Sequence, residues 1–567
     1  MASVVQGSAV ERIWLRSYPP GVPAEADVDA YASIAGILQA SCARFARLPA
    51  FTCMDATIDY ATLDRLSARF AAWLQKQGLA RGDRVALMMP NVLQYPVALF
   101  GILRAGMVAV NCNPLYTPRE LEHQLNDAGA AAIVILENFA ATLEQVIART
   151  QVRKVVTTQL GDMLGFPRSA IVNWVVKHKR KMVPAWNIPG TTRFRTALSE
   201  GARGRLEEPA LGHGDLAFLQ YTGGTTGISK GAMLTHGNIV ANLQQVSAWI
   251  GGGLEDGREV VITALPMYHI FALTGSCLTN MKIGAHNVLI TNPRDMPRFV
   301  DELAKHRFTS FSGVNTLFAA LMNTPGFDQL DFSALKLSLG GGMAVQRAVA
   351  ERWKKVTGCP LLEAYGLTET SPGACINPLV AGFEYNGTAG LPIPSTVVTI
   401  RDDDANILAQ GATGEICIAG PQVMKGYWNR PDETAKVMTA DGAFRTGDIG
   451  LMTPEGYVKI VDRKKDMISV SGFKVFPNEI EDVIASMPGV LEVCAVAAPD
   501  EHSGEIVRVV IVRKDPSLTR EQVIDFSRKQ LTGYKVPKIV EFWKELPKTN
   551  VGKVLRRQVK DTPPKPA

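Results

Sequence analysis

The stretch Gln220–Leu234, QYTGGTTGISKGAML, has the residue types of a loop that binds phosphate groups. Glycines permit backbone conformations in which several N–H groups point at one anion. The threonine and serine hydroxyls add further donors, and Lys230 adds a mobile positive charge. The composition therefore predicts a polyphosphate site, although a flexible surface turn would have a similar composition.

The spacing of this loop differs from that of a Walker A loop. That motif requires a serine or threonine directly after its lysine, where the hydroxyl binds Mg²⁺. Here Lys230 follows Ser229 and precedes Gly231. The difference argues against a P-loop NTPase and favours another phosphate-binding chemistry.

Two stretches that follow predicted strands could complete a ligand site. His269 lies beside two aromatic residues in Leu265–Phe271, at a strand end of the kind where parallel sheets bind ligands. A packed core histidine is the alternative interpretation. Gly340–Gly342 would let a flat ring approach the backbone, or would simply form a tight turn.

Three later stretches add a base platform, two acids and a lysine. Tyr365–Thr370 offers an aromatic face and the Glu369 carboxylate, which could hold Mg²⁺. Asp448 could accept hydrogen bonds from ribose hydroxyls, or close an ordinary turn. Lys553 lies on a glycine-preceded loop near the C-terminus, where most lysines are only solvated. Together with the glycine-rich loop, these are the parts of an ATP site that spans two domains.

Length and composition set limits on the class of protein. A chain of 567 residues is too long for one core, and 46% hydrophobic and 20% charged residues are ordinary for globular domains. The net charge of +6 gives no reason to expect a nucleic-acid partner, but suits a phosphate-rich ligand or an anionic membrane.

The cysteines and the N-terminus favour a cytoplasmic location. The eight cysteines form no CxxC pair, and no Cys/His cluster has zinc spacing, which predicts reduced structural thiols. Glu11 and Arg12 interrupt the position where a signal peptide needs an apolar core. No apolar run reaches transmembrane length.

Strand and helix patterns alternate along most of the chain. Thr117-Pro-Arg-Glu120 is typical of a capping box, and Thr62 is the expected cap of the helix Thr62–Gln77. Alternation of strands with helices predicts parallel sheets covered by helices. The other predicted helices include 31–48, 93–105, 344–356, 478–487 and 520–531, and the strands include 84–89, 108–110, 131–136, 260–265, 287–290, 308–312, 336–339, 361–364, 397–401, 414–419, 493–498 and 507–513.

The pattern changes in the last third of the chain. Short strands and turns from about residue 387 to 460 predict a β-rich subdomain, and the charge run Asp462–Asp466 is the expected domain boundary. We therefore predict an α/β protein with a large N-terminal domain of parallel α/β sheets, residues 1–462. A small mobile α+β C-terminal domain, residues 463–567, is expected to follow a hinge at 462–466.

The segment Phe166–Trp186 differs from its surroundings. It combines apolar residues, including Trp174, with the basic cluster Lys177–Lys181. A helix of this composition could lie in an anionic membrane surface, or could be a solvated, partly buried insertion.

The order of the motifs resembles that of the adenylate-forming superfamily over Val85–Arg557. Asp462–Asp482 and Ile290–Pro297 are most similar to bacterial long-chain fatty acid–CoA ligases. The matching stretches, in chain order, are YTGGTTGISKG, LPMYHIF, YGLTET, RTGDIG, DRKKDMI and PKTNVGKVLRR.

The resemblance implies a reaction in two halves. A fatty carboxylate attacks the α-phosphate of ATP with Mg²⁺, giving acyl-AMP and pyrophosphate, and CoA then accepts the acyl group and releases AMP. The expected partners are therefore a long-chain fatty acid, ATP and CoA. Peripheral contact with the inner face of the membrane and a homodimer are further expectations. A fatty acyl-AMP ligase, a medium-chain or aryl acid–CoA ligase and a non-catalytic membrane protein are alternatives. The continuous run Gly450–Gly472 lacks the extra segment typical of the acyl-AMP ligases.

The resemblance also implies roles for individual residues. Lys553, Glu369, Thr222 and His269 would be catalytic, with Thr222 and Glu369 at Mg²⁺ and Lys465 at the hinge. The nucleotide and CoA would be bound by Tyr221, Thr222, Gly223, Gly224, Thr225, Thr226, Gly227, Ser229, Lys230, Gly340, Gly341, Gly342, Tyr365, Gly366, Thr368, Asp448, Arg463, Gly472, Phe473 and Lys474.

Overall fold

The structure is a computed structural model that describes residues 10–222, 229–500, 502–549 and 552–563. The strands in these ranges are β1 (Pro49–Cys53), β2 (Ala56–Asp59), β3 (Arg84–Met88), β4 (Val108–Asn111), β5 (Ala130–Leu136), β6 (Lys154–Thr158), β7 (Thr192–Arg193), β8 (Leu216–Thr222), β9 (Lys230–Thr235), β10 (Val260–Thr263), β11 (His286–Leu289), β12 (Ser310–Gly313), β13 (Leu337–Gly341), β14 (Leu361–Gly366), β15 (Gly373–Ile376), β16 (Leu391–Pro392), β17 (Val397–Arg401), β18 (Gly414–Ala419), β19 (Phe444–Met452), β20 (Val458–Arg463), β21 (Ile468–Val470), β22 (Phe473–Val475), β23 (Val490–Asp500), β24 (Gly504–Arg513) and β25 (Ile539–Trp543).

Helices lie between most of these strands. The α-helices are α1 (Ile34–Arg44), α2 (Tyr60–Lys76), α3 (Gln94–Arg104), α4 (Pro118–Ala128), α5 (Ala140–Glu144), α6 (Arg168–Trp174), α7 (Phe194–Gly201), α8 (His236–Ile250), α9 (Thr279–Lys282), α10 (Met296–Leu303), α11 (Asn315–Met322), α12 (Arg347–Thr357), α13 (Pro431–Val437), α14 (Pro477–Ala485), α15 (Arg520–Gln530) and α16 (Arg556–Asp561). Short 3₁₀ helices cover Ile13–Ser17, Glu137–Phe139, Ile147–Arg149, Phe327–Gln329, Thr368–Thr370 and Gly533–Lys535, and π-helices cover Val175–Lys179 and Phe271–Leu278.

Two large sheets form the N-terminal part of the protein. One has the strand order β7-β6-β5-β3-β4-β8-β9, and the other has the order β16-β15-β14-β13-β12-β10-β11-β1-β2. Their central strands pair in parallel. All seven residues of β5 are buried, as expected for a parallel strand that is covered on both faces.

The second sheet brings several predicted site residues to one edge. Strands β10, β12, β13 and β14 are parallel neighbours, so their carboxyl ends lie together. Gly341 ends β13, Tyr365 lies near the end of β14, and His269 follows β10. Loops at the carboxyl ends of parallel strands are the usual place for a ligand.

Two smaller sheets complete the fold. The antiparallel sheet β17-β18-β19-β20 ends at Arg463, and the C-terminal sheet of β21–β25 begins at Ile468. The predicted α/β fold with a small C-terminal α+β unit is therefore confirmed. All eight cysteines are buried free thiols.

Most predicted elements lie within a few residues of the observed ones, and one predicted helix cap is wrong. The capping box of Thr117 and Glu120 is present at the start of α4. Helix α2 instead begins at Tyr60, and the cap is Asp59, whose carboxylate accepts the backbone N–H of Thr62 at 2.7 Å. The periodicity of the apolar residues placed the helix correctly, but the start was misjudged because Asp and Thr are both good caps.

Candidate active site

The glycine-rich stretch connects two antiparallel strands. Thr222 at the end of β8 lies opposite Lys230 at the start of β9. The predicted residues Gly223, Gly224, Thr225, Thr226 and Gly227 lie outside the described residues. The Tyr221 hydroxyl donates to the Asp127 carboxylate at 2.7 Å.

Lys230 lies in a setting that the sequence did not reveal. Its ammonium group pairs with Glu433 and lies 5.0 Å from the centre of the Tyr427 ring. The hydrogen bond from Lys230 holds the pKa of Glu433 down at about 2. The segment of Tyr427 pairs with β9 through backbone bonds, such as Trp428 N–H to Gly231 O at 2.8 Å. No local pattern signals a pairing between residues so far apart in the chain.

Tyr427 also contacts the predicted metal carboxylate. Its hydroxyl donates to Oε1 of Glu369 at 2.7 Å. Glu369 is buried, and this burial raises the pKa of its carboxyl group, with the charge of Arg463 acting in the opposite direction. Glu369 therefore lies between an aromatic hydroxyl and a cationic region, at the carboxyl end of the second sheet.

Tyr365 and Asp448 lie in contact, as a nucleoside site would require. The Tyr365 hydroxyl donates to Oδ2 of Asp448 at 2.7 Å, and burial raises the pKa of Tyr365 well above its ordinary value. Arg463, opposite Asp448 across β19 and β20, places its Nε 3.5 Å from Oδ1 of that carboxylate. The base platform, the ribose acid and an arginine predicted from three separate motifs therefore form one cluster.

Glycines are required at this edge for steric reasons. A Cβ at Gly366 would lie 1.8 Å from the Pro372 carbonyl oxygen. A Cβ at Gly341 would lie 3.1 Å from the Ala364 carbonyl oxygen and 3.1 Å from the Phe271 ring. The backbone therefore packs too closely here for a side chain, and Gly340 and Gly342 flank the same position. Thr368 begins the 3₁₀ turn that carries Glu369.

The loop of Lys553 joins this cluster from the C-terminal unit. Thr316 on α11 donates its hydroxyl to the Gly552 carbonyl at 2.9 Å, and Lys553 N–H donates to Thr549 Oγ1 at 3.1 Å. Burial lowers the pKa of Lys553 to about 7; the charge of Arg463 adds to this effect, and Asp448 opposes it. The C-terminal lysine is thus an electrostatic neighbour of the predicted nucleotide residues.

His269 is within electrostatic reach of the same lysine. Burial, together with the positive charge of Lys553, lowers the pKa of His269 to about 4, so the imidazole is neutral at physiological pH. The Phe271 N–H donates to its Nδ1 at 3.3 Å. Lys465 follows Arg463 in the turn between the sheets, and burial lowers its pKa, with the charge of Arg463 adding to the effect.

The predicted CoA residues lie on a separate hairpin. Gly472, Phe473 and Lys474 belong to the exposed β21–β22 connection and its second strand. The side chain of Phe473 is 55% exposed and stacks on Tyr534, with ring centres 4.7 Å apart. In this domain arrangement, the hairpin is exposed, whereas Lys553 is half-buried.

Comparison with known families and proteins gives a consistent result. The AMP-binding enzyme family matches residues 38–428, and the AMP-binding enzyme C-terminal domain matches residues 479–553. The chain is 56% identical to a long-chain-fatty-acid–CoA ligase of Escherichia coli O157:H7, covering 97% of this chain and 98% of that protein. It is 50% identical to the ligase of the same name from Haemophilus influenzae, with the same coverage of both chains. Among solved structures, ATP-bound MatB from Rhodopseudomonas palustris is similar, with TM-score 0.79 and 29% identity over 93% of this chain and 98% of that one.

The lowered pKa of Lys553 predicts an unusual titration. In the ligand-free protein, the rate at which a small amine-reactive acylating reagent modifies Lys553 should rise with pH, with a midpoint near pH 7. Lys436 is the matched control, because its hydrogen bond to Glu433 raises its pKa. Peptide mass spectrometry over a pH series measures both.

Asp448→Asn should lower the midpoint of Lys553 further, because it removes the negative charge that raises this pKa. Equal titration midpoints for Lys553 and Lys436 would contradict the lowered pKa of Lys553.

Proposed function

The chain belongs to the AMP-binding enzyme family, and from that premise we propose that it is an AMP-forming long-chain fatty acid–CoA ligase. It activates a fatty carboxylate with ATP through an acyl-adenylate and transfers the acyl group to CoA. The observation that carries the proposal is that the loop of Lys553 packs on α11 through the bond from Thr316 to Gly552, within electrostatic reach of Asp448 and Arg463. A cation there can meet both the carboxylate and the α-phosphate.

The first half-reaction requires two anions to approach each other. The fatty carboxylate oxygen forms a bond to the α-phosphorus, and the bond to the β-phosphate oxygen breaks with loss of pyrophosphate. We assign Lys553 to the oxygens where negative charge increases, because fixed positive charge in a buried site stabilises such a transition state. His269 is neutral and can border the carboxylate without adding a further charge.

The nucleotide is held by residues from several elements. In our proposal, Tyr365 stacks on adenine beside Gly340–Gly342, Asp448 accepts from the ribose hydroxyls, and Arg463 contacts the nucleotide. Lys230 binds the outer phosphates after it leaves Glu433. The exchange is electrostatically favourable, since a phosphate carries more negative charge than the carboxylate that it replaces.

The residues present fit a Mg²⁺ ion that arrives with ATP. Mg²⁺ prefers oxygen ligands, and usually binds one or two carboxylates together with substrate phosphates. Glu369 supplies a carboxylate whose pKa is raised by burial, and Thr222 supplies a hydroxyl. When bound, the ion neutralises charge on the phosphates. Within the described residues, no cluster of three or more potential metal ligands forms a site without ATP.

The second half-reaction transfers the acyl group to sulfur. The CoA thiolate attacks the acyl carbon, and the bond to the AMP oxygen breaks. We propose that the C-terminal unit rotates about Lys465, which takes Lys553 out of the site and brings the hairpin of Gly472, Phe473 and Lys474 towards CoA. The domain division at 462–466 stays part of this proposal.

The acyl pocket is proposed next to His269. Phe271 begins a π-helix, and its ring packs against Gly341. We propose that the acyl chain enters here, beside the residues that follow His269. Each methylene that is buried there contributes about 0.8 kcal/mol, so the pocket depth sets the preferred chain length. The long-chain preference is proposed from the names of the relatives.

The function is tested by product formation across chain lengths. Purified protein with ATP, Mg²⁺ and CoA should release AMP and pyrophosphate and form a thioester, with kcat/KM rising from butyrate to palmitate. ADP release would contradict the adenylation chemistry. Pyrophosphate exchange without a thioester would instead identify a fatty acyl-AMP ligase, and a maximum at an aryl acid would overturn the fatty acid assignment.

An anionic membrane surface is the further partner that we propose. Helix α6 continues into the π-helix Val175–Lys179 and has its polar contacts on the inner side, where Asn173 Oδ1 accepts the Gly161 N–H at 2.7 Å. Ser169 and Val176 are buried on the same side. The inner side of this segment therefore has both polar and apolar contacts.

The outer side forms what we term the basic–apolar face. Its apolar members are Phe166, Ile171, Trp174 and Met182, exposed by 89%, 58%, 59% and 56%, and its basic members are Lys177, Lys179, Arg180 and Lys181. Exposed aromatic and apolar side chains beside lysines are typical of a helix that lies in an anionic lipid surface. In the described part of the chain, no helix has the length and apolar character needed to cross a bilayer.

Binding to lipid vesicles tests this surface. Replacing Lys177, Lys179 and Lys181 with Gln should weaken binding to phosphatidylglycerol-containing vesicles at least about tenfold, since each basic residue contributes about 1 kcal/mol near an anionic surface. The matched control replaces the exposed lysines Lys514, Lys529 and Lys544 with Gln. Phe166→Ser with Trp174→Ser should also weaken binding.

Undiminished binding of the first triple variant, or an equal loss in the control, would overturn the assignment. Turnover of a soluble decanoate substrate measures the ligase activity separately. The expected homodimer stays a prediction.

A further inference from the structure

The carboxylate of Asp462 makes an unusual pair of hydrogen bonds. Asp462 is the second-last residue of β20, and its side chain accepts the backbone N–H groups of Arg463 at 2.7 Å and Asn478 at 2.8 Å. The residue is 2% exposed. Asn478 is the second residue of α14, whose own N-cap residue, Phe476, forms no side-chain cap.

Helix α14 is therefore capped by a residue from the other side of the proposed hinge. The first N–H groups of a helix have no partner within it, and a negative charge near this end is favourable. An aspartate usually caps the helix that it precedes directly. Here the cap comes from the last strand of the N-terminal part, whereas α14 belongs to the C-terminal unit.

The cap is also connected to the loop of Lys553. Arg556, three residues after Lys553, donates from Nη2 to Asn478 Oδ1 at 2.5 Å. The same guanidinium group binds both carboxylate oxygens of Glu481 at 2.6 and 2.7 Å and the Ala495 carbonyl at 3.0 Å. A continuous hydrogen-bonded chain thus runs from Asp462 through Asn478 to Arg556.

We propose that Asp462 is a positioning residue that stabilises the domain arrangement for adenylation. This inference rests on the proposed function, and in particular on rotation about Lys465. Asp462 precedes that residue and Asn478 follows it, so the rotation separates the carboxylate from the N–H that it caps. The bond therefore favours the arrangement in which Lys553 lies beside Asp448, and must break before the thioester half-reaction.

The test measures the two half-reactions separately. Asp462→Ala should lower ATP–pyrophosphate exchange about five- to tenfold, while thioester formation from supplied acyl-AMP stays constant or rises. Asp462→Asn keeps an acceptor oxygen and should recover part of the exchange rate. Asn478→Ala retains the capped N–H but loses the bond to Arg556, so it should show a smaller loss in the same direction.

Asp404→Ala, at an exposed acid of the preceding sheet region, is the matched control and should leave both half-reactions unchanged. An equal loss of both half-reactions in Asp462→Ala, with no recovery in Asp462→Asn, would indicate a merely structural role and overturn the proposal. Unchanged exchange in Asp462→Ala would also overturn it. Failure of the proposed function would differ, because the unaltered protein would then show no exchange with any fatty acid.

Discussion

The position of one half-buried positive charge connects the two parts of the candidate site. Lys553 comes from the last part of the chain, and its ammonium group lies among residues of the N-terminal part that include both Arg463 and Asp448. A cation that loses part of its hydration beside another cation is destabilised, and the pKa of Lys553, about 7, reflects that cost. The loop stays in place through backbone contacts, including the bond from the Thr316 hydroxyl to the Gly552 carbonyl. The arrangement becomes favourable when anions enter the site, which explains how a substrate can select this domain arrangement.

The other charged site residues, in contrast, have direct hydrogen-bond partners. Lys230 pairs with Glu433, and the Asp448 carboxylate accepts from Tyr365. The Glu369 carboxylate accepts from Tyr427. These partners fix the side chains before a ligand arrives, so little reorganisation is needed at the moment of reaction. The partners come from α13, from β14 and from the segment of Tyr427, which makes the site depend on the correct packing of both large sheets and the β17–β20 sheet.

The sequence predicted the fold and most of the cluster because the relevant signals are local. Apolar runs such as β5 marked buried parallel strands, and the motifs of Tyr365, Asp448 and Lys553 each follow a strand or a glycine. Tyr427 and Glu433 were missed because their roles depend on a strand-like pairing with β9, about 195 residues earlier. The cap of α2 was assigned to the wrong residue for the opposite reason, since Asp59 and Thr62, three residues apart, both have a high propensity for the cap position. The cap that Asp462 provides for α14 could not be predicted, because Asp462 lies 16 residues before Asn478 and belongs to a different unit.

The central claim is that Lys553 serves adenylation and leaves the site before thioester formation. The most direct measurement compares Lys553→Ala with the unaltered protein in the two half-reactions, using ATP–pyrophosphate exchange and thioester formation from supplied acyl-AMP. The account predicts a loss of exchange of at least about a hundredfold, in the range reported for removal of one transition-state electrostatic contact. Thioester formation should stay within about threefold, a difference well below 1.4 kcal/mol in barrier. Equal losses in both half-reactions would contradict the account.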